Sequence, residues 1–307
     1  MCDRIEGVPL EDLSGEGIAG FHWDPRYMLG DYMISLDYFD TVISDITLAL
    51  FEDSGFYKVN YYTGGLFKFG KNKGCEFLKN KCYNGSFLFE NEFCLTPGEP
   101  VCSQSRAEKG RCAIYNYTNI KDIDKEFQYF EDPNLGGLER IDYCPVPDND
   151  INLDNESYFS QNCRYGNISD NRNILGEIYG DNSFCFVSNL LHKDSMDNPK
   201  SEAVCYKIEC NKTSNHFKVY IGDDIVDCYD SKIMNLSNYK GYFACPNYGE
   251  LCHFYNNDSL ICNEIFDCID KEIEADNSTY DYYKYKDNLS QYIQFDFIIL
   301  FIFFLLI

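Results

Sequence analysis

The chain has 307 residues, a formal net charge of −24 and an isoelectric point near 4.4, a balance that nucleic acid and anionic membrane surfaces would repel. Apolar residues make up 45% and aromatic residues 17%, which excludes general disorder and allows one large domain or two smaller ones. Sixteen cysteines run from Cys2 to Cys268 with no C-x-x-C pair, which disfavours a thiolate zinc site and indicates disulfides made in an oxidising compartment.

The start, MCDRIEGVPLEDLSGEG, has neither a cationic n-region nor an apolar h-region, so no signal peptide is visible. A secreted-looking body without an entry signal leads to the expectation that Met1 is not the biological start. The stretch FHWDPRYMLGDYM, residues 21–33, follows with His22, the sole tryptophan, and Met33 eleven positions after the histidine. Taken alone, His22 reads as a surface or core histidine with an ordinary hydrogen bond. In ISDITLALFEDSG, Ile46, Ala49, Leu50 and Asp53 recur at helical spacing, with Ser44 as N-cap and Gly55 as the stop. FYKVNYYTGGLFKFG alternates and is rich in aromatics, so it is expected to form strand and turn. From Cys75 onward no long helical period appears, and short runs such as FKVYI (217–221) alternate with Asn, Asp and Gly clusters. That pattern predicts a disulfide-stapled, mostly β region beginning near residue 80.

Nine N-x-S/T sequons, at Asn84, Asn116, Asn155, Asn167, Asn211, Asn235, Asn257, Asn277 and Asn288, support secretion together with the cysteines. DNDINLDNE opens like a calcium loop at Asp148, Asp150 and Asn152, but Leu153 stands where glycine is required and Phe159 where the last glutamate should be. From about residue 269 the chain becomes a charged, polar stalk. Its end, FIILFIFFLLI at 297–307, falls short of the roughly 20 residues a spanning helix needs. A greasy extreme terminus looks like a GPI-attachment signal, with Asn277-Ser278-Thr279 or Asn288-Leu289-Ser290 as the attachment region. A direct tail anchor or a buried terminal strand are the other readings.

HWDPRYMLGDYM, ITLALFEDSGFYKVNY, FGKNKGCEFLKNKC, FENEFC, YFEDPNLGGLERIDYCPV and GYFACPNYGELC, in that order, closely resemble the leishmanolysin family of surface zinc metallopeptidases, which are metzincins. The resemblance covers roughly residues 1–255. With the composition of the residues beyond it, the resemblance implies an α+β architecture: the remnant of a metzincin catalytic C-terminal subdomain (1–80), then a disulfide-rich, mostly antiparallel β domain (81–268), followed by the polar stalk (269–291) and hydrophobic tail (292–307) that composition gives. It also implies His22 as the third zinc ligand and Met33 as the Met-turn residue that supports the metal site from below. Met28, though nearer, has the wrong spacing. Three imidazoles on zinc leave one position for water, whose pKa then falls, so the implied activity is endopeptidase cleavage of extended protein or peptide substrates at a cell surface.

One departure matters. The H-E-x-x-H helix that should supply the other two imidazoles and the general-base glutamate is absent from these residues, and His192, His216 and His253 lie far downstream without that context. The chain therefore reads as the carboxy-terminal portion of such an enzyme, incomplete as a zinc site by itself. The alternative is a non-catalytic surface or adhesion protein that keeps this module. The resemblance further implies the pairs Cys2–Cys75, Cys82–Cys144, Cys94–Cys112, Cys102–Cys185, Cys163–Cys205, Cys210–Cys252 and Cys228–Cys245, leaving Cys262 and Cys268 for each other.

Overall fold

A computed structural model of the protein describes residues 7–252 except for 14–18, 37, 39–40, 60–66, 72, 81, 83–88, 90–91, 119–122, 149–160, 166–172, 212–213, 215 and 230. Cys2, His253, the Cys262–Cys268 pair, the stalk and the hydrophobic tail lie outside the described residues. Among the described residues no helix is long and apolar enough to cross a membrane.

The helices are short and come mostly first: α1 (Pro25–Met28), α2 (Asp45–Asp53) and α3 (Cys75–Lys79). Strands β1 (Pro100–Cys102), β2 (Lys109–Cys112), β3 (Tyr115–Asn116), β4 (Leu135–Gly136) and β5 (Pro147–Asp148) follow. The carboxy-terminal part holds β6 (Ser183–Ser188), β7 (Leu191–His192), β8 (Glu202–Cys210), β9 (Phe217–Ile221), β10 (Asp224–Cys228), β11 (Ile233–Met234), β12 (Tyr239–Lys240), β13 (Phe243–Ala244) and helix α4 (Tyr248–Cys252). The largest sheet has the order β10-β9-β8-β6-β13-β11, and β1-β2-β5 form a second. Every ladder between these named strands is antiparallel. The chain is therefore mostly antiparallel β with few helices, as expected. FKVYI is strand β9, with Phe217, Val219 and Ile221 buried and Lys218 exposed, the alternation of a sheet with one covered face.

Among the described residues there are two large hydrophobic cores and a small cluster around Cys163, Cys185 and Cys205. The first joins Trp23, Met28 and Leu29 to Phe69, Phe77, Phe93, Ile141 and Val146, so it draws side chains from both sides of residue 80. Its centre is a set of ring contacts in which Phe77 meets Phe69 and Phe89 edge-on at 5.2 Å. The second packs Phe186, Tyr206, Phe217 and Phe243 under the large sheet. Many strands here have only two residues, too few to hold themselves, and disulfides tie the pieces together. Six of the expected pairs are present: Cys82–Cys144, Cys94–Cys112, Cys102–Cys185, Cys163–Cys205, Cys210–Cys252 and Cys228–Cys245. Their Cα separations run from 5.3 to 5.9 Å, inside the range an unstrained bridge allows. Cys75 is disulfide-bonded as well.

Two expectations about the amino-terminal part need correction. Helix α2 has the anticipated ends, with Ser44 Oγ accepting from the Thr47 amide at 3.2 Å and Gly55 at φ 75°. Its buried side, however, is Thr47 and Leu48, while Ile46 and Leu50 are 39% and 45% exposed. The helix is turned by hydrogen bonds from Thr47, described below, and not by its apolar stripe. After it, residues 56–59 form no strand, with Phe56 87% exposed, while 60–66 of the expected strand-and-turn stretch lie outside the described residues. The expected turn is present, at Gly70 with φ 69°.

Candidate functional site

The loop that carries His22 is held by backbone on both sides. Glu11 N–H donates to the His22 carbonyl at 3.0 Å, and Asp24 N–H donates to Pro9 O at 3.1 Å. On the other side Trp23 N–H donates to Met33 O at 2.9 Å, so the residue after His22 is pinned directly to Met33. Met33 lies in a tight turn in which Ile34 N–H reaches Asp31 O at 3.4 Å, and its side chain packs against the first core. His22 itself is half-buried. His22 and Met33, eleven residues apart in sequence, are thus brought onto adjoining backbone segments.

A buried polar network fixes this arrangement. Asp31 is fully buried, and its carboxylate accepts from Met33 N–H at 2.7 Å, Ser44 N–H at 3.1 Å and the Thr47 hydroxyl at 2.9 Å. Thr47 Oγ1 in turn accepts from the Trp23 indole N–H at 2.8 Å. One carboxylate therefore joins the Met33 turn, the start of α2 and the tryptophan next to His22. Hydropathy reads Asp31 and Thr47 as surface residues, and only the tight D-Y-M turn followed by a helix cap hints at a shared acceptor.

Next to it, Asp24 caps α1 by accepting from the Arg26 amide at 2.8 Å, with Pro25 in the first turn. Arg26 is buried under the rings of Phe77 and Phe93, each 4.9 Å from the guanidinium, and donates to the carbonyls of Phe77 and Asn80 at 3.2 and 3.0 Å. Burial lowers the Arg26 pKa from its ordinary value, and burial followed by the charge of Asp142 raises that of Asp24 to about 7. Asp142, raised to about 6 by burial and then by the charge of Asp12, completes this cluster of carboxyl groups around one arginine.

The other described histidines, His192 and His216, belong to the carboxy-terminal β region. His192 lies in β7 with its ring edge-on to Tyr239, and His216 Nδ1 is 2.6 Å from Ser214 Oγ. Among the described residues no three His, Cys, Asp or Glu side chains converge into a set able to hold a metal ion.

A profile of the leishmanolysin peptidases (family M8) matches residues 1–259. The chain belongs to the leishmanolysin family. It is similar to a leishmanolysin of Leishmania chagasi, at 28% identity over 82% of this chain and 42% of that protein. It is also similar to a leishmanolysin of Leishmania major (27%, again 82% and 42%) and to a leishmanolysin-like peptidase of Drosophila melanogaster (27%, 82% and 41%). The chain spans about two fifths of the length of the curated relatives it matches. Membership in a family of metallopeptidases implies a metal. Tetrahedral catalytic zinc takes three protein ligands and an open position, whereas no three such side chains converge among the described residues of this leishmanolysin-family chain. They do not by themselves fit a complete zinc centre.

Proposed function

We propose that this chain is the carboxy-terminal portion of a cell-surface zinc endopeptidase that cleaves extended protein substrates. In this reading residues 1–80 carry the third zinc imidazole, His22, over the Met33 turn. Polypeptide outside residues 1–307 supplies the H-E-x-x-H imidazoles and the general-base glutamate. Residues 81–268 act as a disulfide-stapled β platform, 269–291 as a stalk and 292–307 as the membrane tether or its lipid-attachment signal.

The observation that carries the reading is the direct hydrogen bond from Trp23 N–H to Met33 O at 2.9 Å, which sets a histidine loop beside a methionine turn at the family's spacing. What this chain's own residues do is limited and specific. They hold one imidazole and pin its loop to the turn.

The test compares residues 1–307 with the same chain preceded by its natural upstream coding sequence. The longer protein is expected to carry about one zinc per molecule and to hydrolyse an extended peptide. His22→Ala is expected to lose both while keeping the disulfide map, and residues 1–307 alone to show neither. An in-frame stop immediately upstream, or zinc-dependent hydrolysis that survives His22→Ala, overturns the reading. The first outcome favours the non-catalytic adhesion protein. Release from cells by a phosphatidylinositol-specific phospholipase tests lipid attachment, and an intact peptide ending at Ile307 from surface protein refutes it in favour of a direct tail anchor.

A further inference from the structure

The sequence offers nine sequons, and nothing in their motif says which one carries sugar. Three have their asparagine among the described residues, and the three environments differ. Asn116 ends strand β3 at an exposed position, paired through its backbone with Leu135 of β4. Its side-chain oxygen accepts from Thr118 N–H at 3.1 Å and from the Thr118 hydroxyl at 2.8 Å. The sequon is thus closed into an Asx-turn in which the amide oxygen is occupied by its own threonine. Among the described residues its Nδ2 donates to nothing. Thr118 is exposed too, so a bulky group on Nδ2 displaces no packed side chain.

Asn211 is the opposite case. It is half-buried at the end of β8 beside the Cys210–Cys252 bridge, with its Nδ2 3.4 Å from His216 Nε2 and its backbone carbonyl accepting from the Tyr248 hydroxyl at 2.9 Å. A sugar on that nitrogen would have to break the His216 contact at a half-buried position. Asn235, after β11, is exposed but its sequon ends in Ser237, and no hydrogen bond closes it into a turn.

We infer that Asn116 is an N-glycosylation site of this protein and that Asn211 is not. The co-reactant is a polyprenyl-diphosphate-linked oligosaccharide presented by the secretory pathway's transferase. Asn116 Nδ2 forms a bond to the anomeric carbon of the first sugar, the bond from that carbon to the diphosphate oxygen breaks, the amide gives up one proton to a base of the transferase, and the lipid diphosphate leaves. No electrons are transferred. Attachment here places a large hydrophilic group at the β3–β4 pair, on the flank of the first core, where it shields Tyr115 and Tyr117 from proteases and from other chains.

The inference rests on the reading of the protein as secreted, and the experiment separates the two. The full-length protein is purified from the secretory pathway of a eukaryotic host and free thiols are blocked. It is then treated with peptide-N-glycosidase in heavy-oxygen water, which marks each formerly glycosylated asparagine as labelled aspartate. The expected result is label at Asn116, none at Asn211, and cysteines in disulfides. Asn116→Gln and Thr118→Ala should each remove one glycan from the gel mobility, and Thr118→Ser should retain it at lower occupancy. Paired cysteines with Asn116 unlabelled, or with Asn211 labelled as fully as Asn116, overturn the inference and leave the compartment intact. Free thiols with no labelled sequon overturn both.

Discussion

Replacing Thr47 by valine keeps the shape and the β-branch of the side chain and removes only its hydroxyl, so helix propensity changes little. That hydroxyl accepts the Trp23 indole N–H at 2.8 Å and donates to the buried Asp31 carboxylate at 2.9 Å. In the variant the indole N–H is left in the core without an acceptor, which costs about 1–3 kcal/mol, and Asp31 loses one of three donors, for about 1 kcal/mol more. The sum is a destabilisation of about 2–4 kcal/mol. Trp23 is the sole tryptophan, so its fluorescence during guanidinium unfolding reads the network at its own centre. The expected result is a lower midpoint at unchanged slope for Thr47→Val. Thr47→Ser, which keeps the hydroxyl and loses one methyl, should lose only about 1 kcal/mol. If Thr47→Val lies within about 0.5 kcal/mol of the parent, or Thr47→Ser is as damaging as valine, the hydroxyl is not the link and the network argument fails.

Half-buried Lys109 pairs with buried Glu177 at 3.2 Å, and Glu177 Oε1 also accepts from Cys205 N–H and the Tyr179 hydroxyl, each at 3.1 Å. Lys109→Met leaves those two donors in place and should cost about 1–3 kcal/mol, while Glu177→Leu, which also removes the acceptor of the buried Cys205 N–H, should cost more in the same unfolding assay. A Cβ on Gly137 would overlap the Cys144 carbonyl beside the Cys82–Cys144 bridge, so Gly137→Ala should lower stability by about 1–3 kcal/mol or more, visible as a lower thermal midpoint. Asp142 titrates at about 6 in the folded chain against 3.8 for the free group. The stability its protonation contributes is complete below 3.8 and is lost as pH rises through 6, so the thermal midpoint should fall over that interval. Asp142→Asn, which tolerates the same left-handed backbone at φ 51°, should flatten that part of the profile, and an unchanged slope would contradict the assignment.

How far the fold could be read from residues varies with the kind of signal. The Ser44 cap, the Gly55 stop and the strand at Phe217–Ile221 were legible because each depends on local chemistry: a hydroxyl acceptor, a residue free to take positive φ, a period of two. The six bridges were legible only through the family resemblance, since spacing alone leaves their connectivity open. The buried side of α2 was not legible, because it is chosen by Thr47 meeting a carboxylate sixteen positions earlier, and an apolar stripe cannot report that. Arg26 was missed for the same reason. Its carbonyl partners lie 51 and 54 residues away, and a charged side chain buried under aromatic rings looks like surface to any count of hydropathy. His22 and Met33 could be singled out by spacing and resemblance, but the Asp31 carboxylate that joins their surroundings could not.

The order of the bridges along the chain has a consequence for synthesis. Cys94–Cys112 and Cys228–Cys245 span only 18 and 17 residues, so each can close as soon as its second cysteine is made. Cys102–Cys185 and Cys163–Cys205 interlock instead: once Cys112 and Cys144 have paired with Cys94 and Cys82, the next thiol that a waiting Cys102 meets is Cys163, made before Cys185 exists. A ribosome-bound intermediate is thereby offered a wrong partner earlier than the right one. Reopening such a mispaired loop takes thiol–disulfide exchange, so in an oxidising compartment the yield is expected to rise with a thiol-exchange catalyst.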